Sequence, residues 1–561
     1  MLFRVRTFAL AAILAATGAC GSDSSTAPTP LAAPASVTVT SVSSTSARVS
    51  YAAVPTATSY TIERAPGATG STFVAVGTSA STTYDDVGLA IGATYQYRVF
   101  ASAGSRVSGA SAVATGGGSA VGSSAKIISA DITANRTLYA DTVYTLSGFI
   151  HVANGATLTI QPGTKILGDY DKLGSSLFIM RGAKIQAVGT AALPIVFTSN
   201  RAAGQRQPGD WGGLILIGNA LINRTGTTLI EGTGTDASNP SIDYAGGTND
   251  ADDSGELRYV RVEYAGFAPN DGNELNSFTL AALGSATKLS YLQSLNGLDD
   301  SFEFFGGKAD ASYLVSYESG DDHFDMSEGY QGRMQYLIAY QSRVLVPRTG
   351  AGNVSGDPQG IENDGCQGAN CVGGQTSQPY TLPLIANFTL VGTGAGTAVD
   401  ATAGGIGMML RRGSGGYYAN GILSRWPRAG VSLRDANTNA RITAGDLLLK
   451  NLLLTDTPTL FQATAGSNVQ FTVDPAANGI ESSSATSASV FTLLPTAPNA
   501  AAEFDWSLSA GSPARAGGTG AFTGAMATKG GTVVVGTAYR GAADPAATTK
   551  WWAGWTNYTR N

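Results

Sequence analysis

Tyr291-Leu292-Gln293-Ser294-Leu295 is followed 22 residues later by Tyr313-Leu314-Val315-Ser316-Tyr317, and 23 residues after that by Tyr336-Leu337-Ile338-Ala339-Tyr340. Tyr259-Val260-Arg261-Val262-Glu263-Tyr264 precedes them in the same form. Each unit reads as a short strand, a Gly-marked corner and another strand. A period near 20 is too short for a βαβ unit of about 30 residues or a propeller blade of about 40. It suits one coil of a parallel β-helix, whose strands stack about 4.8 Å apart and bury an apolar column. Leucine-rich repeats share the period but need a Leu-x-Leu-x-x-Asn frame that this chain lacks. Thr157-Leu158-Thr159 is too isolated for the threonine ladder of an ice-binding solenoid. Leu158-Thr159-Ile160-Gln161-Pro162-Gly163-Thr164-Lys165-Ile166 recurs 19 residues later as Leu177-Phe178-Ile179-Met180-Arg181-Gly182-Ala183-Lys184-Ile185, and is read as the same repeat. The sequence predicts an all-β chain in which residues 126–561 form one right-handed parallel β-helix of about a dozen or more coils.

Composition agrees and narrows the function. Of 561 residues only 13% are charged, against roughly 25% in ordinary soluble proteins. Gly supplies 72 residues, as expected where many tight turns join short strands. The 43% hydrophobic content excludes global disorder. A net charge of -6 argues against nucleic acid as a partner. Two histidines, His151 and His323, leave no room for a His-rich metal site or a conventional catalytic triad.

The first residues are a targeting segment. Arg4 and Arg6 precede an apolar run from Phe8 to Ala16 that is too short to span a membrane as a mature helix. Thr17-Gly18-Ala19-Cys20 then resembles the lipobox of bacterial lipoproteins, which implies cleavage after residue 19 and acylation of Cys20. The alternative is an ordinary secretory signal with an incidental cysteine. Residues 20–34, rich in Ser, Thr and Pro, read as a flexible tether. Loss of residues 1–19 removes two arginines and leaves a charge of -8. The expected location is the outer membrane or surface of a Gram-negative cell, with the membrane met through the lipid alone.

Residues 35–115 carry short alternating strands, such as Ala47-Arg48-Val49-Ser50-Tyr51 and Ser59-Tyr60-Thr61-Ile62-Glu63-Arg64, and read as a β-sandwich. Leu89-Ala90-Ile91-Gly92-Ala93-Thr94-Tyr95-Gln96-Tyr97-Arg98-Val99 resembles the tyrosine corner of fibronectin type III domains. Tyr51 stands where that family has its core Trp. Residues 116–125 are a Gly/Ser linker.

Within 126–561, Gly209-Asp210-Trp211-Gly212-Gly213-Leu214, Leu298-Asp299-Asp300-Ser301-Phe302-Glu303-Phe304-Phe305-Gly306-Gly307, Leu410-Arg411-Arg412-Gly413 and Trp551-Trp552-Ala553-Gly554-Trp555-Thr556 are similar to motifs of a family of exported β-helix proteins with a pectate-lyase-like solenoid. The resemblance implies fold and export. It supplies no reaction.

Four features are candidates for chemistry. Cys366 and Cys371 bracket Gln-Gly-Ala-Asn, with no further Cys or His nearby, and are expected to form a disulfide in an exported protein. Asn249-Asp250-Ala251-Asp252-Asp253-Ser254-Gly255-Glu256 places oxygen ligands at alternate positions before a Gly, like the opening of a calcium loop. Asp250, Asp252, Ser254 and Glu256 would be the ligands, with Glu263 substituting at the closing position. A solvated acidic turn is the alternative.

The third is a carboxylate ladder. Asp299-Asp300-Ser301-Phe302-Glu303 aligns with Asp321-Asp322-His323-Phe324-Asp325, and Gly360-Ile361-Glu362-Asn363-Asp364-Gly365 looks like a third rung. Residues 299–328 hold nine acids and one Lys. In register, Asp300 and Asp322 would lie about 5 Å apart, as would Glu303 and Asp325. Each such pair costs on the order of 1 kcal/mol in water and several at an effective dielectric near 20. Phe302, Phe304, Phe305 and Phe324 are expected to face inward, leaving the carboxylates outside.

Three readings compete: structural calcium held by Asp299, Asp300, Asp321 and Asp322, a solvated or Asn/Gly-satisfied acidic face without a ligand, or a carbohydrate-active site. Glycoside hydrolysis needs two carboxylates about 5–9.5 Å apart, and Asp300, Glu303, Asp322 and Asp325 are candidates. Lyase chemistry needs calcium and a base, for which Arg411 or Arg412 would serve, alternation putting only one of them outward. A salt bridge from these arginines to the ladder is the plainer reading. His323 is read as a polar spacer or carboxylate partner.

Fourth, Trp551, Trp552 and Trp555 are three of six tryptophans. They are expected to cap the apolar end of the solenoid, with sugar stacking as the sharper alternative. The chain as a whole reads as a non-enzymatic surface protein, a scaffold or adhesive rod that binds glycan; a polysaccharide lyase or glycoside hydrolase is the alternative.

Overall fold

A computed structural model describes residues 30–43, 46–90, 93–118, 125–270, 272–355, 358–394, 404–462, 473–494 and 503–559. The leader at 1–19, Cys20 and most of the 20–34 tether and the 116–125 linker lie outside them. The chain divides into two units between Ala120 and Val121.

The first unit is a sandwich of two antiparallel sheets. One joins Thr38–Ser43, Ser46–Ser50 and Thr83–Val87; the other is centred on Ser59–Pro66 and Thr94–Ala103. Alternation puts Val49, Ile62, Tyr97 and Val99 into its core at 0% exposure. Tyr51 packs on Tyr60 with ring centroids 4.8 Å apart. The Tyr95 hydroxyl accepts the Ala90 N–H at 3.1 Å.

The second unit is a parallel β-helix. One face is a sheet of nine parallel strands that includes Gly213–Ile217, Phe278–Ala281, Phe302–Phe305, Phe324–Ser327, Ile361–Asp364 and Ile406–Arg411. A second sheet runs through twelve strands in line, from Ala125–Ile128 to Glu481–Ser482. Glu303 pairs with Asp325, and Tyr317 with Tyr340, so the repeats of 22 and 23 residues are single coils. The 19-residue repeat is not a coil. Leu158 pairs with Ile185 and Ile150 with Leu177, so the leading strands of the two similar segments lie in different sheets. They look alike because each is a short strand leading into a Gly turn, and corner chemistry recurs within a coil as well as between coils.

The long strands of the second sheet bend once per coil, at a residue in the left-handed region. Tyr259, Tyr291, Tyr313 and Tyr336 hold this place, followed by Asn387, Asn420 and Asn451, all with φ between 50° and 67°. Asn tolerates that conformation through local hydrogen bonding, whereas a bulky side chain is disfavoured by roughly 1–2 kcal/mol. The four tyrosines compensate by stacking, with centroids 4.4, 4.4 and 4.9 Å apart.

Residues 503–559 return along this flank. Trp555 meets Tyr259 and Tyr291 edge-on, and its carbonyl accepts from Arg261 at 2.8 Å. Gln293 and Asn557 exchange hydrogen bonds of 2.6 and 2.7 Å. The tryptophans therefore cover the side of the coils from Tyr259 to Tyr336, not the last coil as the sequence suggested. The tyrosine stack supplies an apolar surface of its own, and the aromatic bulk seals it.

Candidate metal centre

The nine-stranded sheet positions the acids by simple alternation. Phe278, Phe302 and Phe324 face inward and stack, with centroids 4.8 and 5.5 Å apart. The next residue in each strand points outward, so Thr279, Glu303, Asp325 and Glu362 succeed one another in register. Asp299-Asp300 and Asp321-Asp322 occupy the corners before two of these strands. There the Asp322 N–H donates to Asp300 at 2.7 Å, and the Gln359 N–H to Asp322 at 2.6 Å. Asn276 donates to Glu303 at 2.5 Å.

This outer face is covered. Residues 218–254 leave the coil and lay Ile222, Ile230 and Tyr244 over Phe178, Ile215 and Phe305. Phe305 thus faces outward into this second apolar layer, contrary to the inward place expected for it. The disulfide between Cys366 and Cys371 is present, and its loop holds the covering segment, with the Thr225 N–H donating to the Asn370 carbonyl at 3.0 Å. Glu231 and Arg224 from the covering segment, and Glu274 from a small hairpin, close a cavity of about 270 Å³ over the ladder. Eleven carboxylates and three arginines line it.

The arginines serve the rim. Arg224 pairs with Glu328 at 2.5 Å, and Tyr244 donates to the same carboxylate. Arg411 pairs with Asp364 at 2.8 Å and also with Glu362, and Arg412 reaches Asp364 too. Both arginines face the cavity, whereas alternation would have admitted one. The strand ends at Arg411, and Arg412 turns back at φ 59°.

No such partner reaches the middle of the ladder. Asp300, Glu303 and Asp322 are 6%, 7% and 4% exposed, so these carboxylates are not solvated; Asn276 and two backbone N–H groups supply their hydrogen bonds. Among the described residues, Asp299, Asp300, Glu303, Asp322 and Asp325 form no ion pair with Lys or Arg. Burial, and then the neighbouring carboxylates, push Asp299, Asp300, Glu303 and Asp322 well above the usual carboxylate range. Burial raises Asp325 and Glu231 to about 8 each. Two buried oxygens on this surface, Asp325 Oδ1 and Ser327 Oγ, have no hydrogen-bond partner. Oxygens of Asp299, Asp300 and Asp321 lie within 4.8 Å of one another, as do those of Asp300, Glu303 and Asp325, and those of Asp322, Asp325 and Glu362. An all-oxygen, anionic, flexible set of this kind suits calcium, which binds six to eight oxygens at about 2.3–2.6 Å.

Other expected residues stand elsewhere. His323 is fully buried on the inner side, 2.5 Å from Ser316 Oγ, with burial lowering it to about 3; it is not a partner of the carboxylates. The acids at 249–256 are dispersed. Asp250 pairs with Lys308 and Asp253 with Lys184, each at 2.6 Å, while Glu256 lies 3.8 Å from Lys288. Asp252 accepts from Ser254, and Glu263 pairs with Arg261 instead of closing the loop. Trp552 and Trp555 are 5% and 0% exposed and offer no open platform for a sugar. Trp551 and Trp552 line a separate cavity of about 210 Å³, with Tyr313, Tyr336 and Tyr539. Glu231, Glu274 and Arg224 escaped the sequence reading because they lie in excursions from the coil, where no repeat marks them.

The family model for a pectate-lyase like beta helix domain matches residues 130–497. No curated protein matches the chain. Among solved structures, the chain is similar to an Fn3-like protein from Clostridium thermocellum, with 29% identity over 16% of this chain and 92% of that one, at a TM-score of 0.15. It is similar to the FN5 domain of Drosophila Lar, with 20% identity over 16% and 97%, again at 0.15. A structure of titin kinase and its flanking domains shares 24% identity at 0.15, and the match spans 15% of this chain and 16% of that one.

Proposed function

The chain belongs to the pectate-lyase like beta helix family, and from that premise we propose that it is a calcium-binding scaffold of the bacterial surface, tethered by lipid at Cys20 and presenting a rigid β-helix that binds glycan. The observation that carries the calcium is the set of enclosed carboxylates at Asp299, Asp300, Glu303, Asp322 and Asp325, without an ion pair among the described residues. Burying several like charges together is prohibitive unless protons or cations neutralise them. A divalent ion does so at neutral pH. Arg411 and Arg412 are held by Glu362 and Asp364, so neither is disposed to abstract a proton as a lyase base. That favours a scaffold over a polysaccharide lyase.

The test uses the purified full chain. Calcium should stay with the protein through gel filtration, and neither uronate-containing nor neutral polysaccharides should gain unsaturated ends or reducing ends. Release of either product would make the protein an enzyme; a metal-free protein would remove the calcium. Cys20→Ala should release the protein from membranes, and unchanged membrane association would remove the anchor.

A further inference from the structure

The three carboxylate groups in the cavity overlap. Asp300 belongs to the first and the second, and Asp325 to the second and the third. A carboxylate carries two oxygens with about four lone-pair sites, so one residue can ligate two ions at once. Oxygens on opposite sides of one calcium lie up to roughly 5 Å apart, given Ca–O distances of about 2.3–2.6 Å. Each group, closed to within 4.8 Å, therefore has the span of a separate ion.

Charge points the same way. Seven carboxylates make up the three groups, and a single divalent ion would leave most of that charge uncompensated inside the protein. Among the seven, Arg411 forms a direct ion pair with Glu362, at one end of the row, and acts on Asp325 from a greater distance. An independent mark comes from Ser327. Its side chain lines the cavity at 9% exposure, and its hydroxyl has neither donor nor acceptor. Asp325 Oδ1, at the junction of two groups, is likewise buried without a donor. Buried oxygens left bare in this way need a water or an ion as partner, and these two stand beside the carboxylate groups.

We propose that the cavity is a polynuclear calcium site, holding at least two ions bridged by a shared carboxylate, Asp300 or Asp325. This rests on the calcium reading above and adds its number and arrangement. Neighbouring ions joined through one carboxylate lie a few ångströms apart, so their occupancy ties three successive coils into one unit.

Isothermal titration of the calcium-stripped full chain, with metal analysis of the reloaded protein, should give two or three equivalents. A single equivalent would overturn the polynuclear site and leave the calcium scaffold standing, while no binding would overturn both. Loading with a mixture of terbium and europium should produce energy transfer between them, which needs two ions close together in one molecule. Absence of transfer in fully loaded protein would overturn the proposal without reliance on any variant. Asp325→Asn, a shared ligand, should abolish transfer or cut it several-fold. Asp253→Asn, in the lysine-paired loop, should leave it unchanged. Transfer unaffected by Asp325→Asn, and by Glu362→Gln should the first variant not fold, would place the ions elsewhere.

Discussion

The tyrosine column and the carboxylate column obey the same geometric rule with opposite consequences. A coil of 22 or 23 residues puts like side chains over one another, and each column fills that lattice with one kind of group. Tyr259, Tyr291, Tyr313 and Tyr336 attract one another at centroid distances of 4.4 to 4.9 Å, and the returning C-terminal segment seals them. Glu303, Asp325 and Glu362 repel, and the covering segment shields them from bulk solvent. A solenoid can stack any residue; the first stack is held by its own contacts, and on the proposed reading the second is completed by a cation.

The largest effect should come from breaking the self-sufficient side. Trp555→Ala removes a fully buried indole that touches two of the stacked tyrosines, and should cost about 3–5 kcal/mol. Denaturant unfolding would measure it. The loss should be the same in calcium and in EDTA, and a loss confined to one condition would mean that the two columns are coupled.

A smaller effect should separate the columns by pH. Without calcium, the buried acids bind protons in the folded state that they release when unfolded, Asp325 up to about pH 8. Folded-state values above unfolded ones mean stability that is present at low pH and lost as pH rises through the folded value. The melting temperature in EDTA should therefore fall between about pH 5 and pH 8, and calcium should abolish that slope. A flat profile in EDTA would mean that the acids are compensated within the chain.

How much of this was legible follows from the same lattice. The coil length, the tyrosine units and the pairing of Glu303 with Asp325 were readable because register repeats itself. Glu231, Glu274 and Arg224 were not, since they sit in excursions that obey no period. The burial of the ladder was hidden for the same reason: alternation says which face a side chain takes, but not what later covers that face. That Arg411 and Arg412 both face the cavity was hidden because one left-handed residue ended the alternation, and the place of the tryptophans because a long return segment can reach any coil.

The smallest effect should be at the acidic loop that resembles a calcium site by sequence. Asp250→Asn breaks a half-exposed pair with Lys308 and should cost at most about 1 kcal/mol. Its response to calcium in thermal melts should match the wild type. A reduced response would return the ion to this loop.

The central claim is that a bound cation stabilises the folded carboxylate column, and thermal melting of the full chain in millimolar calcium against EDTA tests it most directly. An ion bound only by the folded chain adds about 2.7 kcal/mol at one hundred times its Kd, which for a chain of this size is a rise of a few degrees per site. The rise should shrink markedly in Asp300→Asn/Asp322→Asn. Superimposable curves in calcium and EDTA at neutral pH, for a protein shown to be free of bound metal, would contradict the account.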